Sequence, residues 1–360
     1  MKPTGTLVLT RRDVVSLLTI EESIAAVERV FKMYGEGETS PPGVLGVHVQ
    51  DGGFHIKAGV LKLDRAYFAA KINANFPLNP TRRGLPTIQG VIVLQDANNG
   101  YPLALMDSIE ITMQRTGAAT AVAAKYLARP DSRILTICGC GNQGRVSFRA
   151  LSNIFSFKEV FAYDLDAAQA ERFASELSGE TSAKVTTATD LENAVRSSDI
   201  IVTCTTARRF FLKESWVRPS AFIAAVGADN EDKQELEPSL LFKSKTVVDM
   251  VKQAATIGEL HHAIDAGVMT GNDIHAELGE IVAGRKPGRS SKDEIIIFDS
   301  TGMALQDVIV AAAVYEKAVT NRIGQWIDIC EVEVSGNHAG ASSSSPLGID
   351  EASKRECRTD

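Results

Sequence analysis

Three charged residues stand in surroundings that do not ordinarily hold charge. Lys71 lies inside the strand-like run AYFAAKINANF, Arg115 in the small-residue run RTGAATAVAA, and Asp229 just past the apolar run AFIAAVG. A lysine and an arginine brought together make a clamp for a carboxylate, which the guanidinium can bind bidentately. An aspartate beside a redox cofactor can move a proton on an amine or imine nitrogen. A set of surface salt bridges is the other reading of the same three residues. A second chemistry is written in Gly139-Cys140-Gly141-Asn142-Gln143-Gly144, which follows the strand-like RILTIC and opens a helical pattern. In this context Gly139 permits the tight turn, Gly141 lets backbone amides approach a pyrophosphate, and Gly144 allows close helix–strand packing. The helix N-terminus then offers unpaired N–H groups to the phosphates. Asp164 ends the next strand-like run, EVFAYD, 20 residues beyond Gly144. A carboxylate there accepts from ribose hydroxyls and repels a 2′-phosphate, so NAD(H) is favoured over NADP(H). Thr203 and Thr205, in the run that closes the fourth strand, are candidates for the nicotinamide side, though the hydroxyls could equally cap a turn; Val226 is a further cofactor-binding candidate.

These residues need two kinds of scaffold. Residues 21–34 place Ile24, Val27, Val30 and Phe31 at helical spacing. From 44 to 106 short β-prone runs alternate with Gly-, Asn- and Pro-rich turns, which predicts an antiparallel meander. Ser108 is placed to cap a long small-residue helix reaching Arg129, and Pro130 ends it. From Arg133 near-continuous Val/Ile/Ala runs alternate with helical patterns at 142–154, 167–178 and 190–196, the grammar of a parallel sheet covered on both faces. The expected fold is therefore α/β: a doubly wound, Rossmann-type parallel sheet beside an α+β domain with an antiparallel sheet. The expected domains are 1–129, completed by a C-terminal helix over 303–330, for substrate and dimerisation, and 130–302 for the dinucleotide. The Ser/Gly-rich segment 336–360 lacks periodicity and is expected to be a disordered tail.

Composition narrows the partners. The chain has 360 residues, 38 Lys+Arg against 45 Asp+Glu, a net charge of −7, and only 6% aromatic residues. An acidic balance argues against nucleic acid and anionic membranes as partners. No apolar run has the length of a membrane span, and the N-terminus lacks the apolar core of a signal peptide. The five cysteines make no C-x-x-C, and reduced thiols in a cytoplasmic protein are expected. The six histidines offer no spaced ligand set, so no metal is expected; the pair His261–His262 reads as solvated or capping.

Five separated motifs, KINANFPLNP, QRTGAATAVAAKYLARP, GCGNQG, VGADNEDKQELEPSLL and FDSTGMALQD, occur in order over about residues 10–325. Together they resemble the ornithine cyclodeaminase/mu-crystallin family. The resemblance implies a homodimer whose first domains join sheets into a β-barrel-like interface, with a Rossmann second domain. It implies that Lys71 and Arg115 hold a substrate carboxylate and that Asp229 is a general acid/base. Thr116, Asn142, Gln143, Asp164 and Ser300 would touch the nucleotide. The lyase branch of the family uses a glutamate on the strand before the lysine, whereas Phe54-His55-Ile56-Lys57-Ala58-Gly59 has no carboxylate. Its Cys-Pro-Gly-Lys after the aspartate is replaced here by Asn230-Glu231-Asp232-Lys233. Asp307 remains a candidate partner for a distal amine, or a surface residue. The expected activity is NAD(H)-dependent redox chemistry on the CH–NH2 or C=N group of a small 2-amino or 2-imino acid, of the alanine dehydrogenase or ketimine reductase type. Asp229 in its protonated form would keep the imine as iminium, and His55 and Lys57 would add specificity unless they are solvated strand residues. A cyclising ornithine ammonia-lyase and a mu-crystallin-like binding protein for dinucleotide and a small ligand are the alternatives.

Overall fold

The computed structural model describes residues 5–329; the segment 336–360, Cys330 and Cys357 lie outside them. Strands Gly43–Val49, Gly52–Lys62, Ala66–Asn75, Ile88–Asp96 and Pro102–Asp107 form the expected antiparallel meander. Thr6–Leu9 adds in parallel to its last strand and Gln325–Ile327 pairs antiparallel with Thr6–Leu9, completing a seven-stranded sheet. The register decides which side chains meet. Lys57 lies opposite Lys71, and His55 opposite Asn73. Because side chains alternate between faces with a period of two, all four share one face. The other face carries Leu45, Val47, Phe54, Val60, Ile72 and Val91, all exposed.

The second sheet has eight strands, paired in parallel throughout. Its central strands Ile134–Cys138, Ile200–Thr203 and Phe222–Ala225 are buried almost throughout, which is why they read as unbroken apolar runs. Glu159–Tyr163 lies on one side of Ile134–Cys138 and Ile200–Thr203 on the other. The strand order therefore reverses here, and open α/β sheets place ligands in the crevice at such a point.

Two helices tie the sheets together. Ile109–Leu127 is buried on most sides, and its small residues allow a close crossing with Asn142–Ser152. A Cβ at Gly117 would lie 2.6 Å from Val146 Cγ1. The expected Ser108 cap is corrected: the Ser108 hydroxyl donates to Asn73 Oδ1 at 2.6 Å, and Asp107 Oδ1 instead accepts from the amides of Ile109 and Glu110. The helix Ala304–Asn321 returns to the first sheet, where a Cβ at Gly59 would meet Leu305 at 2.8 Å. Among the described residues no helix is long and apolar enough to cross a membrane.

Candidate active site

A cleft of about 530 Å³ opens between the carboxyl ends of the parallel strands and the charged face of the first sheet. Lys71 and Arg115 both line it and are buried, 3% and 6% exposed. Between them sits a residue read from sequence as equally suited to the surface. Asp307, 2% exposed, accepts on Oδ1 from Lys71 Nζ at 2.9 Å and from Arg115 Nε at 3.1 Å, while its Oδ2 stands 2.8 Å from the same lysine nitrogen as an ion-pair contact without hydrogen-bond geometry. Asp307 is thus committed to the two cations, which corrects both its surface reading and its reading as a partner for a distal amine. Lys57 is also buried and donates to the carbonyls of Thr301 and Gly302 at 2.9 and 2.7 Å. It is no solvated strand residue. His55 is half-buried on the same wall, and burial lowers its pKa.

Across the cleft, Asp229 exposes 52% of its side chain and takes Lys233 Nζ on Oδ1 at 2.7 Å. Desolvation works to raise its carboxyl, but Lys233, Lys57 and His55 outweigh it and hold the group below the usual carboxylate range. The ammonium beside it therefore favours the carboxylate at Asp229 over the expected protonated form. His262 accounts for the loop's position, its Nε2 lying 2.8 Å from the Lys233 carbonyl.

The glycine loop divides its labour by geometry. Gly139 has φ +104°, and a Cβ there would lie 2.7 Å from the Cys204 carbonyl oxygen; at Gly144 it would lie 2.3 Å from the Gly139 carbonyl oxygen. Both glycines answer to the protein itself and neither lines the cleft. Gly141 lines the cleft, and a Cβ there would meet nothing within 4 Å. The space it leaves opens into the cleft. The helix Asn142–Ser152 has no side-chain cap, whereas Ala167–Ser178 and Leu191–Ser197 are capped by Asp166 and Asp190. Its start lies at the cleft, which Gly141, Asn142 and Gln143 line, and the free N–H groups of an uncapped first turn suit an anion. Asp164 accepts from the Cys140 amide at 2.9 Å and the Asp166 amide at 3.0 Å, fixing the loop at the strand end. Thr116, Val226 and Ser300 line the same cleft, and the buried Ser300 hydroxyl has no partner among the described residues. Such an orphaned polar atom fits a bound group with its own donors and acceptors.

Thr203 is corrected: it is fully buried and does not reach the cleft. Thr205 does, with its amide and hydroxyl donating to Glu235 Oε1 at 2.6 and 2.7 Å. Sequence reasoning passed over Glu235 and three further carboxylates, Asp249, Glu259 and Asp299, all buried. Glu235 also accepts from the Gly227 amide at 2.9 Å, and Glu259 accepts from the amides of Glu235 and Leu236. Asp249 accepts from the Thr301 hydroxyl and the Gly302 amide. Burial raises the pKa of all four, Asp299 to about 7. These groups pin the loops that carry Asp229, Thr205 and Ser300. The signal available in sequence was weak: Glu235 is one of five acids in the polar run DNEDKQELE, which has the pattern of an exposed loop.

The family model for ornithine cyclodeaminase/mu-crystallin proteins matches residues 4–322. The chain belongs to that family. It is 40% identical over 323 residues to alanine dehydrogenase of Archaeoglobus fulgidus, spanning 89% of this chain and 98% of the relative. The solved archaeal alanine dehydrogenase dimer with bound NAD superposes with a TM-score of 0.86 at 39% identity, covering 91% of this chain and 100% of that one. Thermococcus litoralis Δ1-pyrroline-2-carboxylate reductase, solved with NADH and L-proline, gives 0.85 at 36% identity, covering 89% and 100%. Within the ornithine cyclodeaminase/mu-crystallin frame, Lys71, Arg115, Asp229, His55 and Lys57 converge on one cleft with the uncapped helix end. Gly139, Gly144 and Thr203 stand behind its wall.

Proposed function

We propose that this chain is an NAD(H)-dependent oxidoreductase acting on the carbon–nitrogen bond of a small 2-amino or 2-imino acid, of the alanine dehydrogenase or ketimine reductase type. One observation carries the reading: two buried cations and a rim carboxylate face one another in the cleft that the uncapped helix Asn142–Ser152 also opens onto. The relatives' NAD and NADH complexes and the L-proline bound to one of them support it. The dinucleotide, when bound, supplies or takes the hydride. Gly141 and the first turn of its helix hold the pyrophosphate, Asp164 accepts from the ribose hydroxyls, and Thr116, Thr205, Val226 and Ser300 border the nicotinamide end. Asp164 and the neighbouring Asp166 repel a 2′-phosphate, which makes NAD(H) the cofactor rather than NADP(H).

Lys71 and Arg115 fix the substrate carboxylate and so aim the α-carbon, converting an encounter into an oriented approach. Asp229, ionised beside Lys233, accepts a hydrogen bond from the iminium N–H and favours the electrophilic form of the substrate. In the oxidative direction the same carboxylate accepts a hydrogen bond from the substrate ammonium and eases its proton out to solvent, and the neutral amine left is the form that a bound dinucleotide would oxidise. Among the described residues, 5–129 with 303–329 make up the substrate and dimerisation domain, and 130–302 the dinucleotide domain. The exposed apolar face of the meander is the dimer interface; so much contiguous apolar surface favours a self-complementary contact, and an archaeal relative is a dimer. The three described cysteines carry free thiols, in keeping with a reducing, cytoplasmic setting. The test is NADH consumption with pyruvate plus ammonia and with a cyclic 2-imino acid, run beside ornithine with catalytic NAD. Stoichiometric NADH loss with amino-acid formation is expected. Ammonia release from ornithine with no net change in NADH would refute the reading in favour of a cyclising lyase; NADH binding without turnover would leave a binding protein.

A further inference from the structure

The clamp is itself clamped. Asp307 approaches Lys71 and Arg115 from the helix Ala304–Asn321, taking one lysine N–H and the guanidinium Nε. Gln306 Oε1 accepts from Arg115 Nη1 at 3.2 Å, and Gly302, at φ +80°, packs so closely that a Cβ would lie 2.5 Å from the same nitrogen. Arg115 is held on three sides, while its Nη2 makes no hydrogen bond among the described residues. A carboxylate this deeply buried is costly unless it is paired. We infer that Asp307 is a positioning residue, whose carboxylate keeps Lys71 charged and aims Lys71 and Arg115 so that their remaining N–H groups meet the substrate carboxylate. The inference rests on reading the pair as the carboxylate clamp.

The charges around Lys71 explain why it needs such a partner. Arg115 from the helix Ile109–Leu127 and Lys57 from the neighbouring strand both disfavour its proton. The strand on its other side presents Ile92, which carries no charge. Among the described residues Asp307 is the only carboxylate within ion-pair distance of Lys71. Burial already pulls the Lys71 ammonium down to about 7, against the upward pull of Asp307. Its charge is lost as pH rises through that value, so the substrate grip weakens on the alkaline side. Removing the carboxylate moves that loss to lower pH.

Asp307→Asn keeps the volume and removes the charge. KM for the imino acid should rise roughly ten- to a hundredfold, the worth of one charge-assisted contact. The rise of KM with pH should begin at lower pH than in the wild type, while the NADH dissociation constant stays unchanged. Adding Lys71→Arg to that variant should flatten the pH dependence, because a guanidinium does not titrate in this range. Asp307→Glu, which keeps the charge but displaces it by one methylene, should raise KM with the pH break unmoved. The ζ-15N shift of Lys71, followed against pH in wild type and Asp307→Asn, reads the charge state without turnover. It therefore separates failure of this inference from failure of the functional reading, which would show as no turnover by the wild type. The same Lys71 midpoint in both proteins, or an Asp307→Asn enzyme with wild-type KM across pH 6–9, would overturn the inference.

Discussion

Alanine at Gly139 and alanine at Gly141 are one substitution made two residues apart, and they should fail in opposite ways. At Gly139 the backbone lies at φ +104° and the new methyl would sit 2.7 Å from the Cys204 carbonyl oxygen and 2.9 Å from its carbon. Backbone strain of about 1–3 kcal/mol adds to about 1–3 kcal/mol for overpacking against main chain that cannot easily retreat. The dinucleotide sheet should therefore lose roughly 2–6 kcal/mol. At Gly141 φ is −85° and ψ −166°, ordinary extended backbone, and no heavy atom stands within 4 Å of the methyl. Stability there should hold or rise by about 0.4–1 kcal/mol, because alanine restricts the unfolded chain. The methyl instead fills the space through which a pyrophosphate must approach the helix end. Losing one amide–phosphate contact, about 1.5–3 kcal/mol, weakens NADH binding about ten- to a hundredfold. Thermal melting of both apo variants, with NADH titrated into each by calorimetry, gives the four numbers required. A Gly141→Ala protein that melts well below the wild type yet binds NADH as tightly would refute the division of roles within the loop.

Three further outcomes follow from the same geometry. Asp164→Ala should weaken NADH binding and narrow the preference for NADH over NADPH, read as the ratio of kcat/KM for the two cofactors. Val47→Lys, on the exposed apolar face of the meander, should convert a dimer to monomer in light scattering without loss of secondary structure; an unchanged dimer would place the interface elsewhere. Asp299, raised to about 7 by burial, binds its proton more tightly folded than unfolded. Its contribution therefore falls as pH climbs from near 4 to 7 and stays low above. Asp299→Asn should raise stability at pH 8 by at most about 4 kcal/mol, read as a higher Tm, and change it little at pH 4. A stabilisation of equal size at both pH values would contradict the sign.

Much of this architecture is legible because it depends on local patterns. The unbroken apolar strands of residues 134–138 and 200–203 report burial on both faces. Lys71 stands out because its strand neighbours Ala69 and Ala70 offer no reason for a lysine, and Gly139–Gly144 declare their turn by spacing. What stayed hidden depends on register and on distant contacts. Lys57 looks solvated in sequence, yet it lies opposite Lys71 and is capped by the Thr301 and Gly302 carbonyls. Their sequence separation, more than 240 residues, puts that contact beyond local reading. Asp307 carried a readable clue: it stands on a helix of Ala, Val and Ile that is buried on most sides, where a lone carboxylate requires a partner. Thr203 shows the limit at finer scale. A strand end places alternate residues on opposite faces, and only one of Thr203 and Cys204 could face the cleft. The capping error at Ser108 has a similar cause, since Asn73 from another strand claims its hydroxyl.

The central claim is that Asp229 manages the proton on the substrate nitrogen while taking no part in holding the dinucleotide. Asp229→Asn tests it most directly, with kcat for imine reduction and the NADH dissociation constant measured on the same preparation. The account predicts a loss of turnover of about 10²–10⁴-fold with NADH affinity unchanged. Turnover at the wild-type rate in that variant would contradict it.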